Sequence, residues 1–223
     1  MRTFASIAIL LFAISSAHAD NLIVNGGFES GTLSGWTATS TGDGDFTVTS
    51  APYTPLTYNA TVGPNSGTYY AVSDDYSGSQ TQFLTQSFTT PNSFQDVILS
   101  FSMFVNDVYG SFFGSDGPGG EVTLLSATGS PISVLYGPVD TFENPAGSPN
   151  PYVSVSENIA SDLAPNTTYQ LQFSSTDTQG LINVGVDSVA LVATPEPATL
   201  FPFALGGLLV LWLACRRQVA VEA

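Results

Sequence analysis

Between Asp20 and Thr194 the chain has no lysine, arginine, histidine or cysteine. The basic residues Arg2, Arg216 and Arg217, with His18 and Cys215, all lie in the two ends. Each absence removes a class of chemistry. Binding phosphates requires Lys or Arg to release counterions, so nucleic acid is excluded as a partner of the domain. Anionic membrane surfaces are excluded for the same reason. Without His, Lys or Cys there is no catalytic triad, Schiff base or thiol nucleophile, which leaves a carboxylate pair as the remaining catalytic device. The Glu-x-Asp-x-x-Glu spacing of jelly-roll glucanases does not occur, because Glu121 is followed by Val122-Thr123-Leu124. The domain therefore reads as non-enzymatic. Metals that want nitrogen or sulfur find no ligands, and no disulfide can form inside the domain. Cys215, in its apolar setting, reads as a small filler.

Acid is abundant instead. All but Glu196 and Glu222 of the 18 Asp and Glu residues lie from Asp20 to Asp187, and the formal net charge is -15. Such a surface must be relieved by solvent, salt or divalent cations, and carboxylates, carbonyls and Asn side chains are the hard oxygen donors that suit Ca²⁺. Two acidic clusters, Asp43-Gly44-Asp45 and Asp74-Asp75, lack EF-hand spacing and read as solvated turn carboxylates.

Helical periodicity is scarce. Short β-rich runs alternate with Gly, Pro, Ser, Asn and Asp clusters. Strands are predicted at Asn21–Val24, Trp36–Ser40, Phe46–Ser50, Thr68–Ser73, Gln82–Thr89, Val97–Val105, Glu121–Ser126, Pro131–Tyr136, Tyr152–Ile159, Thr168–Ser174 and Asn183–Ala193. Val97–Val105 is the most apolar and reads as central, with Leu99, Phe101, Met103 and Val105 on one face. Glu121–Tyr136 reads as a hairpin turning at Ala127–Ser130. This pattern predicts an all-β fold of two packed antiparallel sheets. The loops Asn106–Gly120 and Asp140–Pro151 interrupt it.

The two ends read as targeting segments. Arg2, an apolar run from Phe4 to Ile14 and the small residues before Asp20 make a secretory signal peptide, residues 1–19. At the other end, Pro195-Glu196-Pro197 precedes an uncharged run from Ala198 to Cys215 and then Arg216-Arg217. As a helix, such a run is about 27 Å long, enough to cross a bilayer core, with the Arg pair kept on the cytoplasmic side. A buried core helix is the alternative; apolarity on every face at the chain end favours the membrane. The order of tripeptide, helix and basic pair resembles the PEP-CTERM sorting tail of exopolysaccharide-producing bacteria. The resemblance covers residues 194–217 and implies recognition by an exosortase, a membrane cysteine protease. Residues 218–223 extend past the point where that family usually stops and read as a short cytoplasmic tail. The implied location is the periplasmic side of the inner membrane, then the cell surface after processing.

Residues 20–193 form the exported domain. Its opening, Asn21-Leu22-Ile23-Val24-Asn25-Gly26-Gly27-Phe28-Glu29 followed by Gly35-Trp36, resembles that of galactose-binding-like jelly rolls, including carbohydrate-binding modules. Ser66-Gly67-Thr68-Tyr69-Tyr70-Ala71 and Gly185-Val186-Asp187-Ser188-Val189 match their middle and last segments. The resemblance implies a two-sheet jelly roll with Trp36 in its core. It also implies a structural Ca²⁺ held by the side chains of Glu29 and Asp187, with Ser66 and Gly67 supplying carbonyls. The alternative is that Glu29 and Asp187 are surface residues far apart.

Sugar C–H faces pack on aromatic rings. Tyr109, Phe112 and Phe113, in a Gly-rich loop, are the first candidates for glycan contact, and Tyr76, Tyr136 and Tyr152 are weaker ones. The sequence thus leads to an exported, non-catalytic surface or matrix protein that associates with exopolysaccharide. A carboxylate-dependent glycan hydrolase and a purely structural matrix protein stand as alternatives.

Overall fold

The computed structural model describes residues 19–54, 60–75, 78–107, 119–139, 149–178 and 181–196. The signal segment, Tyr76, Tyr109, Phe112, Phe113, Pro197 and the apolar run after it lie outside these residues.

Among the described residues there are eleven strands: β1 Asp20–Asn21, β2 Thr37–Ser40, β3 Asp45–Thr49, β4 Tyr70–Asp74, β5 Gln80–Thr89, β6 Asp96–Asp107, β7 Gly119–Ser126, β8 Pro131–Val139, β9 Val153–Asn158, β10 Thr168–Asp177 and β11 Ile182–Thr194. One sheet runs β3-β4-β11-β6-β9, with β1 also on β11; the other runs β2-β5-β10-β7-β8. Every pairing is antiparallel. The result is the expected two-sheet β-sandwich.

Strand β11 is the spine of the first sheet. It pairs with β6 along its length, while β4 takes Gly185–Val186 and β1 takes Val192–Ala193 on its other side. Its buried face changes phase partway. Ile182, Val184 and Val186 point into the core, and after a bulge between Asp187 and Ala190 the inward residues are Val189, Leu191 and Ala193. The extra residue lets both halves bury apolar side chains although the sequence breaks its period-two pattern there.

The first strand is shorter than the sequence pattern predicts. Leu22 N–H still donates to the Leu191 carbonyl (2.8 Å), but the Leu191 N–H turns to Oδ1 of Asn21 (3.0 Å), which also accepts the Ile23 N–H (3.1 Å). The β7–β8 hairpin forms as expected, closed by Gly129 N–H on the Ser126 carbonyl (3.0 Å).

Rings from both sheets lock the core. Phe28 packs on Trp36, Trp36 on Phe173, and Phe173 edge-on against Phe101, with centroids 5.3–6.0 Å apart. Burying each such ring contributes about 1.5–3 kcal/mol. Trp36 is buried, as its place in the opening motif implies. Tyr136 stands edge-on to Phe101, and Tyr152 stands edge-on to Phe104 while its hydroxyl donates to the Gly63 carbonyl (2.9 Å). Both rings are therefore committed to packing.

Candidate functional site

The segment Asn25–Glu29 is a tight turn with Asn25 and Phe28 both at positive φ (52° and 58°). The Asn25 amide donates to the carbonyls of Thr32 and Ser34 (2.9 and 3.2 Å), and Phe28 is fully buried beneath it. The Gly26 carbonyl accepts the N–H of Val189 (2.9 Å), seating the turn on the β11 bulge. Glu29 follows the Phe28 anchor and is exposed.

This geometry brings Glu29, Ser66, Gly67 and Asp187 together. Oε1 of Glu29 accepts the N–H groups of Thr68 and Tyr69 (2.9 and 3.0 Å). Asp187 accepts the N–H of Ser66 on Oδ2 (2.8 Å) and that of Ser188 on Oδ1 (2.5 Å). The Ser66 and Ser188 hydroxyls pair at 2.9 Å. At Gly67, φ is +64° and a Cβ would overlap the Glu29 carboxylate as it stands, so glycine is favoured here. Ser66 meets Asp187 through its amide, and Gly67 contributes the space it leaves.

Burial raises the Asp187 pKa above 3.8, the backbone amides of Ser66, Ser188 and Asn65 oppose that rise, and the Glu29 charge adds to it. Among the described residues no three of Asp, Glu, His and Cys group as a metal centre. The donor set is nevertheless all oxygen, with two carboxylates close enough to repel each other and no basic residue from Asp20 to Thr194. That chemistry fits a hard cation with two charged and several neutral ligands.

A second surface was not singled out by the sequence reading. Along β10, Leu171 and Phe173 face the core, so Gln172 and Ser174 face outward. Pairing with β5 and β7 arranges two rows on that face: Phe83-Ser174-Glu121 and Thr85-Gln172-Thr123. Gln172 donates to Thr85 Oγ1 (3.1 Å), and Thr123 donates to Glu121 Oε1 (2.7 Å). Thr37 and Thr39 on β2 and Val134 on β8 are exposed at the two sides, whereas Ser174 and Thr123 in the middle are buried. The face is thus an apolar ring set among amide, hydroxyl and carboxylate groups, with its central residues less exposed than those at its edges. Alternation at Leu171 and Phe173 marks β10 as a strand, but nothing in its short polar residues singles out the outer face.

One expectation is corrected. Asp74 and Asp75 are not solvated turn residues: they are only 2% and 1% exposed, because the Gly42–Gly44 loop and β5 close over them. Asp43 and Asp45 are exposed, as expected.

No family model matches the chain, and no curated protein matches it in sequence. Solved structures with a similar fold include the carbohydrate-binding module TmCBM61 in complex with β-1,4-galactotriose (17% identity, 77% of this chain and 97% of that one, TM-score 0.44). A cyclase from Fischerella sp. TAU is similar at 17% identity, 81% and 100% coverage and TM-score 0.48. The enzymatically active domain of bacteriophage CBA120 tailspike protein 4 is similar at 13% identity and TM-score 0.46, over 78% of this chain but 21% of that one. Among the described residues no helix is long and apolar enough to cross a membrane; the run Ala198–Cys215 lies outside them.

Proposed function

We propose that this is an exported, non-catalytic surface protein whose sandwich associates with a neutral polysaccharide on the outer face of β2-β5-β10-β7-β8. The observation that supports this reading most is the outward row Phe83-Ser174-Glu121 beside Thr85-Gln172-Thr123. A phenyl ring packs on the apolar face of a pyranose, and amide, hydroxyl and carboxylate groups match its hydroxyls. The net charge of -15 favours a neutral over an anionic glycan. Tyr109, Phe112 and Phe113, in the sequence between β6 and β7 and outside the described residues, are proposed as further contacts.

Two-carboxylate hydrolysis is the weaker reading. Glu121 is the one carboxylate in the two outward rows, and Thr123 already donates to it. A structural Ca²⁺ on Glu29 and Asp187, with carbonyls of Ser66 and Gly67, is proposed to tie the opening turn to β11.

The test is affinity electrophoresis of the full chain in detergent through gels containing neutral β-glucan, galactan or mannan. Retardation by one of them, lost in Phe83→Ala and Gln172→Ala with folding intact, is expected. Migration unchanged in every gel would overturn the reading.

Delivery is proposed to follow the tail. Pro195 and Glu196 come directly after the end of β11 at Thr194, and the chain start at Asp20 pairs with Ala193 at that same end. In this reading Pro195 and Glu196 are presented beside the folded domain. Replacing Pro195-Glu196-Pro197 with alanines should leave an unprocessed, membrane-held precursor; normal processing would remove the exosortase from the scheme.

A further inference from the structure

The edges of the two sheets are not alike. On one side of the sandwich the edge strands β2 and β3 are joined directly by residues 41–44; on the other, the edges are β8 and β9. Strand β8 carries Pro131 and Pro138, and its register on β7 shifts three times. Prolines and bulges are devices that keep an edge from pairing with another chain. Strand β9 has neither. It contains no proline, and its register on β6 runs unbroken from Ile98↔Asn158 to Met103↔Val153. Lysine, another common guard, is absent from the domain, and Glu157 is the one charge on the strand.

Alternation decides what this edge offers. Ile159 donates its N–H to the Val97 carbonyl (2.9 Å), so the backbone groups of Val153, Val155 and Glu157 turn toward β6 and those of Ser154, Ser156 and Asn158 turn away from it. Among the described residues no other strand pairs with these outward groups. Ser154, Ser156 and Asn158 are all exposed, whereas Val155 packs against the core and holds the strand in place. The Ser154 hydroxyl meets that of Ser102 on β6 (3.1 Å), which further fixes the edge.

We infer that β9 is a docking edge for a second copy of this chain, whose own β9 adds antiparallel about a two-fold axis at Ser156. That axis sets Ser156 opposite the copy's Ser156, and Ser154 opposite the copy's Asn158. Each outward position then exchanges both its N–H and its carbonyl. Charge selects a copy over a foreign basic strand, because β9 offers a single carboxylate on an otherwise neutral edge of hydroxyls, amide and valines. The axis also sets Glu157 opposite the copy's Val155, so the two Glu157 side chains do not oppose each other. The sheet β3-β4-β11-β6-β9 becomes continuous through both copies, and the outer face of β2-β5-β10-β7-β8 stays open on each.

Disulfide trapping in the full chain in detergent, with Cys215→Ala so that the introduced thiol is the only one, reads the interface. Opposite Cα atoms in a hydrogen-bonded antiparallel pair lie about 5.5 Å apart, within reach of a disulfide. Ser156→Cys should therefore cross-link two chains about tenfold better than Ser87→Cys, an exposed position on the interior strand β5. Ser154→Cys should cross-link only when combined with Asn158→Cys; efficient cross-linking of Ser154→Cys alone would overturn the register. Sedimentation gives an independent arm. Ser156→Pro removes an outward N–H and leaves the β6 ladder intact, so it should weaken self-association about tenfold or more. Added salt should strengthen association of the parent by screening the charge of -15 on each copy. Ser156→Cys cross-linking no better than Ser87→Cys would overturn the inference. Self-association unchanged in Ser156→Pro would overturn it too, moving the contact to the apolar tail.

Discussion

Ser66 donates its backbone N–H to Oδ2 of Asp187 over 2.8 Å, joining positions 121 residues apart. Beside it, Glu29 accepts the amides of Thr68 and Tyr69 from 39 and 40 residues away. Two carboxylates thus serve as hydrogen-bond acceptors that close the first turn, the segment before β4 and the bulge of β11 into one unit.

Asp187→Ala would strip several amides of their acceptor at once. Leaving a buried donor unsatisfied costs about 1–3 kcal/mol, so a loss of that order or more is expected by denaturant unfolding in chelator. With Ca²⁺ the parent should melt higher than in chelator, and both Glu29→Ala and Asp187→Ala should reduce that difference. A parent whose melting point ignores Ca²⁺ would leave the carboxylates with a hydrogen-bonding role alone.

Gly67→Ala should destabilise by about 1–3 kcal/mol, because it combines a left-handed backbone with overlap of the Glu29 carboxylate. Gly129, at φ +83° with nothing within 4 Å of its would-be Cβ, is the control. Gly129→Ala should cost only the backbone strain, about 1–2 kcal/mol. Equal stability of the two variants would show that the Glu29 side chain moves aside.

Neighbouring positions on β10 should respond oppositely to truncation. Leu171 is fully buried, and Leu171→Ala is expected to cost about 2–5 kcal/mol. Gln172 faces outward with one hydrogen bond to Thr85, and Gln172→Ala should stay within about 1 kcal/mol. Chemical denaturation of the two proteins tests the alternation on which the proposed glycan face depends.

Alkaline stability should follow two buried phenols. Burial raises the pKa of Tyr70 above 10.0, opposed by its hydrogen bond with Thr61. Burial, then the charges of Asp187 and Tyr70, push Tyr152 well above that ordinary range. Both phenols are neutral in the fold and ionise more easily unfolded, so their contribution is complete below pH 10 and is lost as pH rises beyond it. Absorbance at about 295 nm should report these two ionising together with loss of the β-sheet signal; earlier titration of the native protein would place them in contact with solvent.

How far the fold could be read depended on how local its causes are. Period-two alternation marked β6, β10 and the β7–β8 hairpin because a strand with one face in the core writes its burial into its own residues. The turn residues Glu29, Ser66, Gly67 and Asp187 were legible only together, through resemblance to a known opening, middle and last segment; no short window of sequence puts them side by side. The outward rows around Gln172 were not legible, because an exposed strand face of Thr, Ser and Gln has no pattern distinct from a loop.

The sequence by itself determined an all-β domain, acidic and without a cation of its own. Composition and alternation suffice for that, since they are properties of single residues and near neighbours. Tertiary structure alone decided which carboxylates are buried. Asp43 and Asp45 stay in water while Asp74 and Asp75, in an equally polar stretch, are enclosed by β5 and the Gly42–Gly44 loop. Burial is set by what packs over a residue from elsewhere in the chain, and that is settled only when the two sheets close on each other.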